Sequence, residues 1–125
     1  MVGPRGVALG CDLERVEPRS RAFVDEFFTE SERAAVRASP DPALSANLVW
    51  SAKESALKAL RTGLDRDTRN VEIAFERPGV SPWSRLTARL RPEERLLEGA
   101  SHVRDGFVLT IVAEHALADR LRAGP

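Results

Sequence analysis

The alternation of apolar and polar positions predicts several short strands and a hairpin. Residues 6–14 begin as a run of small apolar side chains and end with two acids, which is typical of a buried strand. Residues 71–75 and 86–90 alternate apolar with polar side chains, as half-buried strands do. The Asp-Gly pair at 105–106 precedes the apolar run 107–113, so we expect a hairpin that leads into a central strand.

Helical spacing and capping residues predict three helices in the first half of the chain. Residues 19–28 carry apolar side chains at spacings of three and four, and Thr29 with Glu32 forms a capping box that begins a second helix. The third helix, residues 41–61, begins with an Asp-Pro cap and stops at a Thr-Gly pair. It is the longest predicted element, about 20 residues by its pattern.

These elements define an α+β fold in which a short antiparallel sheet packs on one long helix. The chain has 125 residues and shows no internal repeat or linker, so we expect a single domain over residues 1–125. A Pro-Gly pair at 78–79 predicts the loop between two of the strands. The tail 114–125 is helical at most.

The charge balance and the cysteine count exclude several classes of function. Lys and Arg number 19, as do Asp and Glu, so no overall basic field attracts a nucleic acid or an anionic membrane. No apolar run reaches the ~20 residues that a membrane helix needs. The single Cys11 cannot close an intrachain disulfide, which fits a reducing compartment. We therefore expect a cytoplasmic protein that binds neither nucleic acid nor membrane.

Two sets of charged residues are candidates for chemistry. Asp12 and Glu14 share one face of the first strand, because side chains two positions apart point the same way. The second set lies along one broad side of the long helix at spacings of three and four: Trp50, Lys53, Glu54, Leu57, Lys58 and Arg61. Each set also has an ordinary explanation: an acidic pair solvates a strand end, and Glu54 with Lys58 forms a routine surface pair.

Taken together, the three carboxylates indicate a magnesium site. Mg²⁺ prefers oxygen ligands and commonly combines a few carboxylates with substrate phosphate, so Asp12, Glu14 and Glu54 fit its protein side. Lys53 and Lys58 then face phosphate, and this composition suits the transfer of a phosphate-linked group. A nucleotide-binding magnesium phosphohydrolase draws on the same residues and stays open. A nucleophilic enzyme is disfavoured, because the chain has no Gly-x-Ser-x-Gly sequence and Cys11 lies in a predicted buried strand. A phosphate-cradling glycine loop is absent as well.

Three segments resemble the 4'-phosphopantetheinyl transferase superfamily in letters, order and separation. They are 10–14 (GCDLE), 27–32 (FFTESE) and 50–58 (WSAKESALK), and the resemblance spans about residues 7–115. It implies transfer of the phosphopantetheine arm of coenzyme A to a serine of an acyl or peptidyl carrier protein. The reaction that it implies depends on Mg²⁺ and releases adenosine 3',5'-bisphosphate.

The same resemblance implies roles for the candidate residues. Asp12 and Glu14 match strand-borne metal ligands, and Glu54 matches a helix-borne ligand that also acts as a general base. Lys58 matches the lysine that contacts phosphate, so Glu54 and Lys58 are the expected catalytic residues. Lys53 lies beside the motif glutamate and is expected to bind coenzyme A phosphate together with Lys58.

The motifs and the length of the chain resemble different branches of this superfamily. The tryptophan at position 50 resembles the second half of the larger surfactin-synthetase-activating type, whereas the length suits the short holo-acyl-carrier-protein synthase type. Both types bind coenzyme A between two copies of the fold, so we expect a homo-oligomer, either a dimer or a trimer. The alternative is a non-catalytic domain that docks carrier proteins, the remnant of an enzyme whose other half is missing.

Four further residues are interpreted more simply. Trp50 is expected to pack in the core rather than to touch substrate. Arg19 and Arg21 either meet an acidic helix of the carrier protein or form an ordinary solvated basic end. His102, in a Ser-His pair before the last strand, resembles a histidine of the short type, although its sequence surroundings match poorly.

Overall fold

The computed structural model describes residues 8–60, 66–76, 83–92 and 94–114. Strand β1 (Leu9–Arg15) is followed by helices α1 (Arg21–Phe27), α2 (Glu30–Ala38) and α3 (Pro42–Leu60). A short 3-10 helix, Thr68–Asn70, then leads into strands β2 (Val71–Phe75), β3 (Trp83–Leu90), β4 (Arg95–Arg104) and β5 (Phe107–Glu114). The predicted α+β class, with one long helix and an antiparallel sheet, is confirmed.

The five strands form one antiparallel sheet in the order β1-β5-β4-β3-β2. β1 and β5 are therefore neighbours, and Asp12 of β1 lies opposite Thr110 of β5. The predicted hairpin joins β4 to β5 through Asp105 and Gly106, whose φ angles of 53° and 78° lie in the left-handed region that such tight turns require. β5 lies inside the sheet, as predicted for the apolar run 107–113.

Two strands differ from the sequence pattern. β3 begins at Trp83, three residues before the alternation at 86–90. β4 was implied only by the hairpin, because its sequence mixes charged, small and apolar residues without a clear period. The Thr-Gly stop at 62–63, the loop at 78–79 and the tail beyond residue 114 lie outside the described residues.

Helix α3 packs on β1 at very short range. A Cβ atom at Gly10 would lie only 2.6 Å from the backbone nitrogen of Ala59 and would overlap the carbonyl oxygen of Ser55. A glycine is therefore required at this position, and the backbone of β1 lies directly against that of α3. This contact sets the separation between side chains carried by the strand and side chains carried by the helix.

The aromatic side chains of α1 pack against α3 through Trp50. Its ring centroid lies 4.9 Å from that of Phe23 and 5.4 Å from that of Phe27. Trp50 is a half-buried packing residue at the edge of the core, in agreement with its predicted role. The predicted capping box is also present: the Thr29 backbone N–H donates to Glu32 Oε1 and the Glu32 N–H donates to Thr29 Oγ1.

The residues predicted along one broad side of the long helix differ in exposure in the structure. Lys53 and Leu57 are buried, whereas Lys58 remains half exposed. The reason is that α3 is covered on more than one side, by the sheet and by α2, so most of its positions are buried. No helix in the described part of the chain has the length and apolar character to cross a membrane.

The sheet has an open face on the side away from α3. Leu13, Leu109, His102 and Trp83 follow one another in register across four neighbouring strands on this face. The side chains of Leu13 and Trp83 are 63% and 38% exposed. Beside this row is a groove of about 540 Å³, lined by residues that include Ile111. The described part of the chain thus leaves an apolar sheet face in contact with solvent.

Candidate active site

Strand β1 and helix α3 bring an acid and a lysine together. The Asp12 carboxylate is nearly buried, and its Oδ1 atom accepts a hydrogen bond of 2.9 Å from Lys58 Nζ. The same ammonium donates to the carbonyl oxygen of Cys11 at 3.2 Å. The bond to Asp12 raises the pKa of Lys58, so this lysine stays charged. Lys58 therefore joins the helix to the strand with part of its side chain still in solvent.

The second oxygen of Asp12 is an unpaired polar atom. Oδ2 is buried and has no hydrogen-bond partner among the described residues. A buried carboxylate oxygen without a partner is unfavourable by itself, and native proteins usually complete such an atom with water or an ion. Asp12 thus presents one oxygen to Lys58, while its second oxygen is free to accept a further partner.

Glu14 and Glu54 lie close enough to Asp12 to be affected by its charge. Burial, followed by the approach of the Asp12 carboxyl group, raises the pKa of Glu14 to about 7, with a smaller contribution from Glu54 and an opposing one from Arg19. Burial and then the charge of Asp12 also raise the pKa of Glu54, while Lys58 acts in the opposite direction. The structure therefore gathers the three predicted carboxylates into one group that repels itself electrostatically.

The donor set fits an open oxygen site rather than a closed metal cage. Within the described ranges, no three His, Cys, Asp or Glu side chains are grouped tightly enough to hold a metal ion by themselves. Mg²⁺ usually binds through one or two carboxylates and completes its shell with water and substrate phosphate. The unpaired Oδ2 of Asp12 and the mutual repulsion of Asp12, Glu14 and Glu54 fit a cation bound in that way.

The structure corrects the assignment of Lys53 to phosphate binding. Its side chain is fully buried, and Nζ lies 2.8 Å from Glu32 Oε1 in an ion pair. The ammonium also donates to the backbone carbonyls of Thr68 and Val71. With three protein acceptors and no exposed surface, Lys53 holds α2, α3 and the start of β2 together. The physical reason for the error is that adjacent residues on a helix differ by about 100° in direction, so Lys53 and Glu54 face different surroundings.

A buried group of hydroxyls supports Asp12 from behind. Thr110 Oγ1 shares hydrogen bonds with Ser51 Oγ at 2.9 Å and with Ser55 Oγ at 2.6 Å. Ser51 Oγ also lies 3.4 Å from the Asp12 carbonyl oxygen and Ser55 Oγ lies 3.1 Å from the Thr110 carbonyl oxygen, so the three hydroxyl protons are shared among four contacts. These bonds tie α3 to β1 and β5 at the level of the carboxylates. The sequence carried one signal of this group, a threonine within the apolar run 107–113.

Arg19 and His102 lie in surroundings that the sequence did not reveal. The Arg19 guanidinium lies 3.6 Å from the Glu14 carboxylate, with its side chain largely buried, so it belongs to the site rather than to a solvated basic end. His102 lies on the open face of the sheet, where its ring packs 4.9 Å from that of Trp83. Asp12 lies on the opposite face, so the structure does not bring His102 to the carboxylates.

Comparison with known proteins identifies the family. A model of the 4'-phosphopantetheinyl transferase superfamily matches residues 8–112. The chain is 38% identical over 120 residues to a holo-[acyl-carrier-protein] synthase of Syntrophotalea carbinolica, covering 85% of this chain and 94% of that protein. It is 31% identical over 117 residues to the Chlamydia muridarum protein of the same name, covering 85% and 93%. The chain therefore belongs to the 4'-phosphopantetheinyl transferase superfamily.

The comparisons also address the branch and the fold. A solved holo-[acyl-carrier-protein] synthase from Neisseria meningitidis has the same fold, with a TM-score of 0.69 at 21% identity over 86% of this chain and 97% of that one. The predicted enzyme, a 4'-phosphopantetheinyl transferase of the holo-[acyl-carrier-protein] synthase type, is confirmed. The chain covers 93% and 94% of the length of the two curated relatives named above.

Proposed function

We propose that this chain transfers the 4'-phosphopantetheine arm of coenzyme A to a serine hydroxyl of an acyl or peptidyl carrier protein. The proposed reaction depends on Mg²⁺ and releases adenosine 3',5'-bisphosphate. The observation that carries the proposal is the meeting of strand and helix carboxylates around Asp12, one oxygen of which is buried without a partner among the described residues. The match along nearly the whole length of curated holo-[acyl-carrier-protein] synthases supports the choice of reaction.

In this proposal, Asp12, Glu14 and Glu54 supply the protein oxygens for Mg²⁺. When bound, the ion neutralises charge on the pyrophosphate of coenzyme A. Burial and then repulsion raise the pKa values of Glu14 and Glu54, and a cation among the three carboxylates would offset the repulsion. Lys58 orients Asp12 through its 2.9 Å hydrogen bond.

Glu54 and Lys58 carry the proposed catalytic roles. Burial makes the Glu54 carboxylate a stronger proton acceptor than an exposed glutamate, so it takes the serine proton directly or through water. The serine oxygen forms a bond to the near phosphorus, and the bond from that phosphorus to the bridging oxygen breaks with its electron pair on the leaving bisphosphate. The Lys58 ammonium is half exposed and can contact a phosphate oxygen while it remains bonded to Asp12.

We also propose that the working form is a homo-oligomer in the cytoplasm. The open sheet face, with Leu13, Phe107 and Trp83 substantially exposed, is an apolar area suited to a second copy of the chain. Coenzyme A then binds at the boundary between copies. Sedimentation measurements distinguish a dimer from a trimer, and a monomer at the concentration of the activity assay would contradict this part of the proposal.

Mass spectrometry of apo carrier proteins tests the reaction. Carriers from fatty-acid, polyketide and peptide synthesis are incubated with coenzyme A, MgCl₂ and the protein, and the oligomeric state is recorded on the same sample. We expect one carrier to gain the mass of a single phosphopantetheine arm. Absence of a gain on every carrier would contradict the proposal. Release of adenosine bisphosphate without any acceptor would support a phosphohydrolase, and carrier binding without coenzyme A binding would support a docking domain.

The substitution Glu54→Gln tests the assigned chemistry. It removes a metal ligand and proton acceptor but keeps the shape of the side chain, so we expect transfer to fall by more than about 100-fold. Glu30→Gln is the matched control, because Glu30 is exposed in the first turn of α2 and outside the carboxylate group. Near-normal turnover of Glu54→Gln would show that the centre is assigned to the wrong residues.

A further inference from the structure

Two arginines lie close together at the start of α1, yet they have different surroundings. Arg19 precedes the helix and Arg21 is its first residue. The Arg21 side chain is 94% exposed and contacts Asp25 one turn later on the same helix. The Arg19 side chain is only 19% exposed. Its guanidinium contacts residues on three separate elements, β1, α1 and α3. Because three contacts hold its side chain, Arg19 differs from a solvent-exposed arginine that is available to bind a partner protein.

The contact of Arg19 with α3 is built on a buried asparagine. Asn47 is fully buried, and its Nδ2 donates to the carbonyls of Glu17 and Ala43, both at 2.7 Å. These two bonds determine the orientation of the amide, so Oδ1 is the atom left to accept from Arg19 Nε, at 3.1 Å. The inner edge of the guanidinium is therefore held to the helix.

The outer end of the same guanidinium faces Glu14. Nη2 of Arg19 lies 3.6 Å from Glu14 Oε2, and the Phe23 ring packs 5.3 Å from the guanidinium carbon. The Glu14 side chain is a quarter exposed at the end of β1, with the Asp12 charge beside it. The positive charge of Arg19 opposes the effect of Asp12 on Glu14.

We propose that Arg19 is a positioning residue that holds the Glu14 carboxylate beside Asp12, ready to contact a divalent cation. This inference rests on the proposed function, since it takes the carboxylates as the metal-binding group. Partners in the outer shell of a metal site fix the direction of the ligating carboxylates. Arg19 is suited to this because its planar guanidinium is held by Asn47 through Nε while Nη2 forms an ion pair with Glu14.

Charge and orientation predict opposite effects of removing Arg19. Loss of a nearby positive charge alone makes the site more attractive to Mg²⁺. Loss of the tether lets Glu14 leave the site and makes binding weaker, by roughly 10-fold or more. Weaker binding in Arg19→Gln therefore arises from orientation and not from charge. Arg19→Lys keeps the charge without the fork, so we expect it to bind more weakly than the wild type as well.

The test measures Mg²⁺ binding without the reaction. The melting temperature of each protein is recorded over a series of MgCl₂ concentrations at constant ionic strength, and its rise gives the apparent affinity. Arg21→Gln is the matched control, because it removes the same charge two residues away without a contact to Glu14. We expect the control to follow the wild type and both Arg19 variants to require more Mg²⁺.

Transfer kinetics complete the test. We expect the Arg19 variants to need more Mg²⁺ for half-maximal transfer and to keep the wild-type KM for the carrier at saturating Mg²⁺. An unchanged or tighter Mg²⁺ response together with a raised carrier KM would overturn the proposal and make Arg19 a docking residue. If the wild type shows neither a response to Mg²⁺ nor transfer, the proposed function fails. If the wild type responds to Mg²⁺ and transfers the arm, and the Arg19 variants do so equally well, the inference alone fails.

Discussion

The buried pair of Lys53 and Glu32 leads to a prediction that separates a structural role from phosphate binding. Both side chains are fully buried, and their charged atoms lie 2.8 Å apart. Glu32 also accepts from the backbone N–H groups of Thr29 and Ile73. Lys53→Met removes the ammonium but keeps the length and apolar stem of the side chain. The Glu32 carboxylate then stays buried with its counter-charge gone.

The expected magnitude follows from this burial. Removal of one partner of a buried ion pair costs about 3–5 kcal/mol, because an uncompensated charge stays in the interior. The total stability of a protein of this size is about 5–15 kcal/mol, so the substitution removes a substantial fraction of it. We expect the melting temperature to fall by roughly 10–20 °C.

A double variant makes the reasoning specific. Glu32→Gln combined with Lys53→Met removes both charges, while the glutamine oxygen can still accept from the Ile73 N–H. We expect the double variant to regain part of the lost stability, because no charge stays buried without its partner, although the Thr29 N–H and the carbonyls of Thr68 and Val71 still lose hydrogen bonds. The exposed pair of Arg21 and Asp25 is the control, and Arg21→Gln should change the free energy of unfolding by less than about 1 kcal/mol.

Urea unfolding followed by circular dichroism measures these differences, and coenzyme A binding is measured on the same samples. The structural role requires a large loss of stability in Lys53→Met and recovery in the double variant. A Lys53→Met protein with wild-type stability and greatly weakened coenzyme A binding would refute the reasoning and restore the phosphate role predicted from the sequence.

Two further predictions concern the carboxylate group and the strand that carries it. Because the pKa of Glu14 is raised to about 7 in the folded protein, the folded state holds its proton more tightly than the unfolded chain, so stability in EDTA should fall as the pH rises from about 4.5 to about 7. Glu14→Gln should lack this part of the fall in a melting-temperature series against pH, and a wild-type profile that rises more steeply than that of the variant over this range would contradict the assignment. Gly10→Ala places a Cβ against the backbone of Ser55 and Ala59, so β1 must move away from α3. We expect the free energy of unfolding in urea to fall by about 1–3 kcal/mol or more, together with reduced transfer. Unchanged stability of that variant would show that the strand and the helix are not in backbone contact.

Much of the fold could be predicted from the sequence because its signals are local. The capping box at Thr29, the Asp-Gly hairpin at 105–106 and the alternation at 71–75 each depend on neighbouring residues only. β4 lacked such a signal, because a strand placed between two others is specified by its partners as much as by its own pattern. The strand order was likewise beyond a local pattern.

The candidate site shows the same division. Asp12 and Glu14 are brought toward Glu54 and Lys58, which the family resemblance implied, although their roles as ligands and catalysts stay proposals. The partner of Lys53 could not be predicted, because Glu32 already had a local explanation as a helix cap and its second role depends on tertiary packing. The anchoring of Arg19 depends on a buried amide 28 residues away, which no local pattern reveals.

The pairing of β1 with β5 has a consequence for the order of folding. Asp12 lies opposite Thr110, so the strand that carries two of the carboxylates can join the sheet only after the last strand has been synthesised. Contacts between such distant parts of a chain form slowly, because a long loop must first close. The three helices can form earlier from contacts nearer in sequence. In a refolding experiment, recovery of helical circular dichroism should therefore precede recovery of transferase activity.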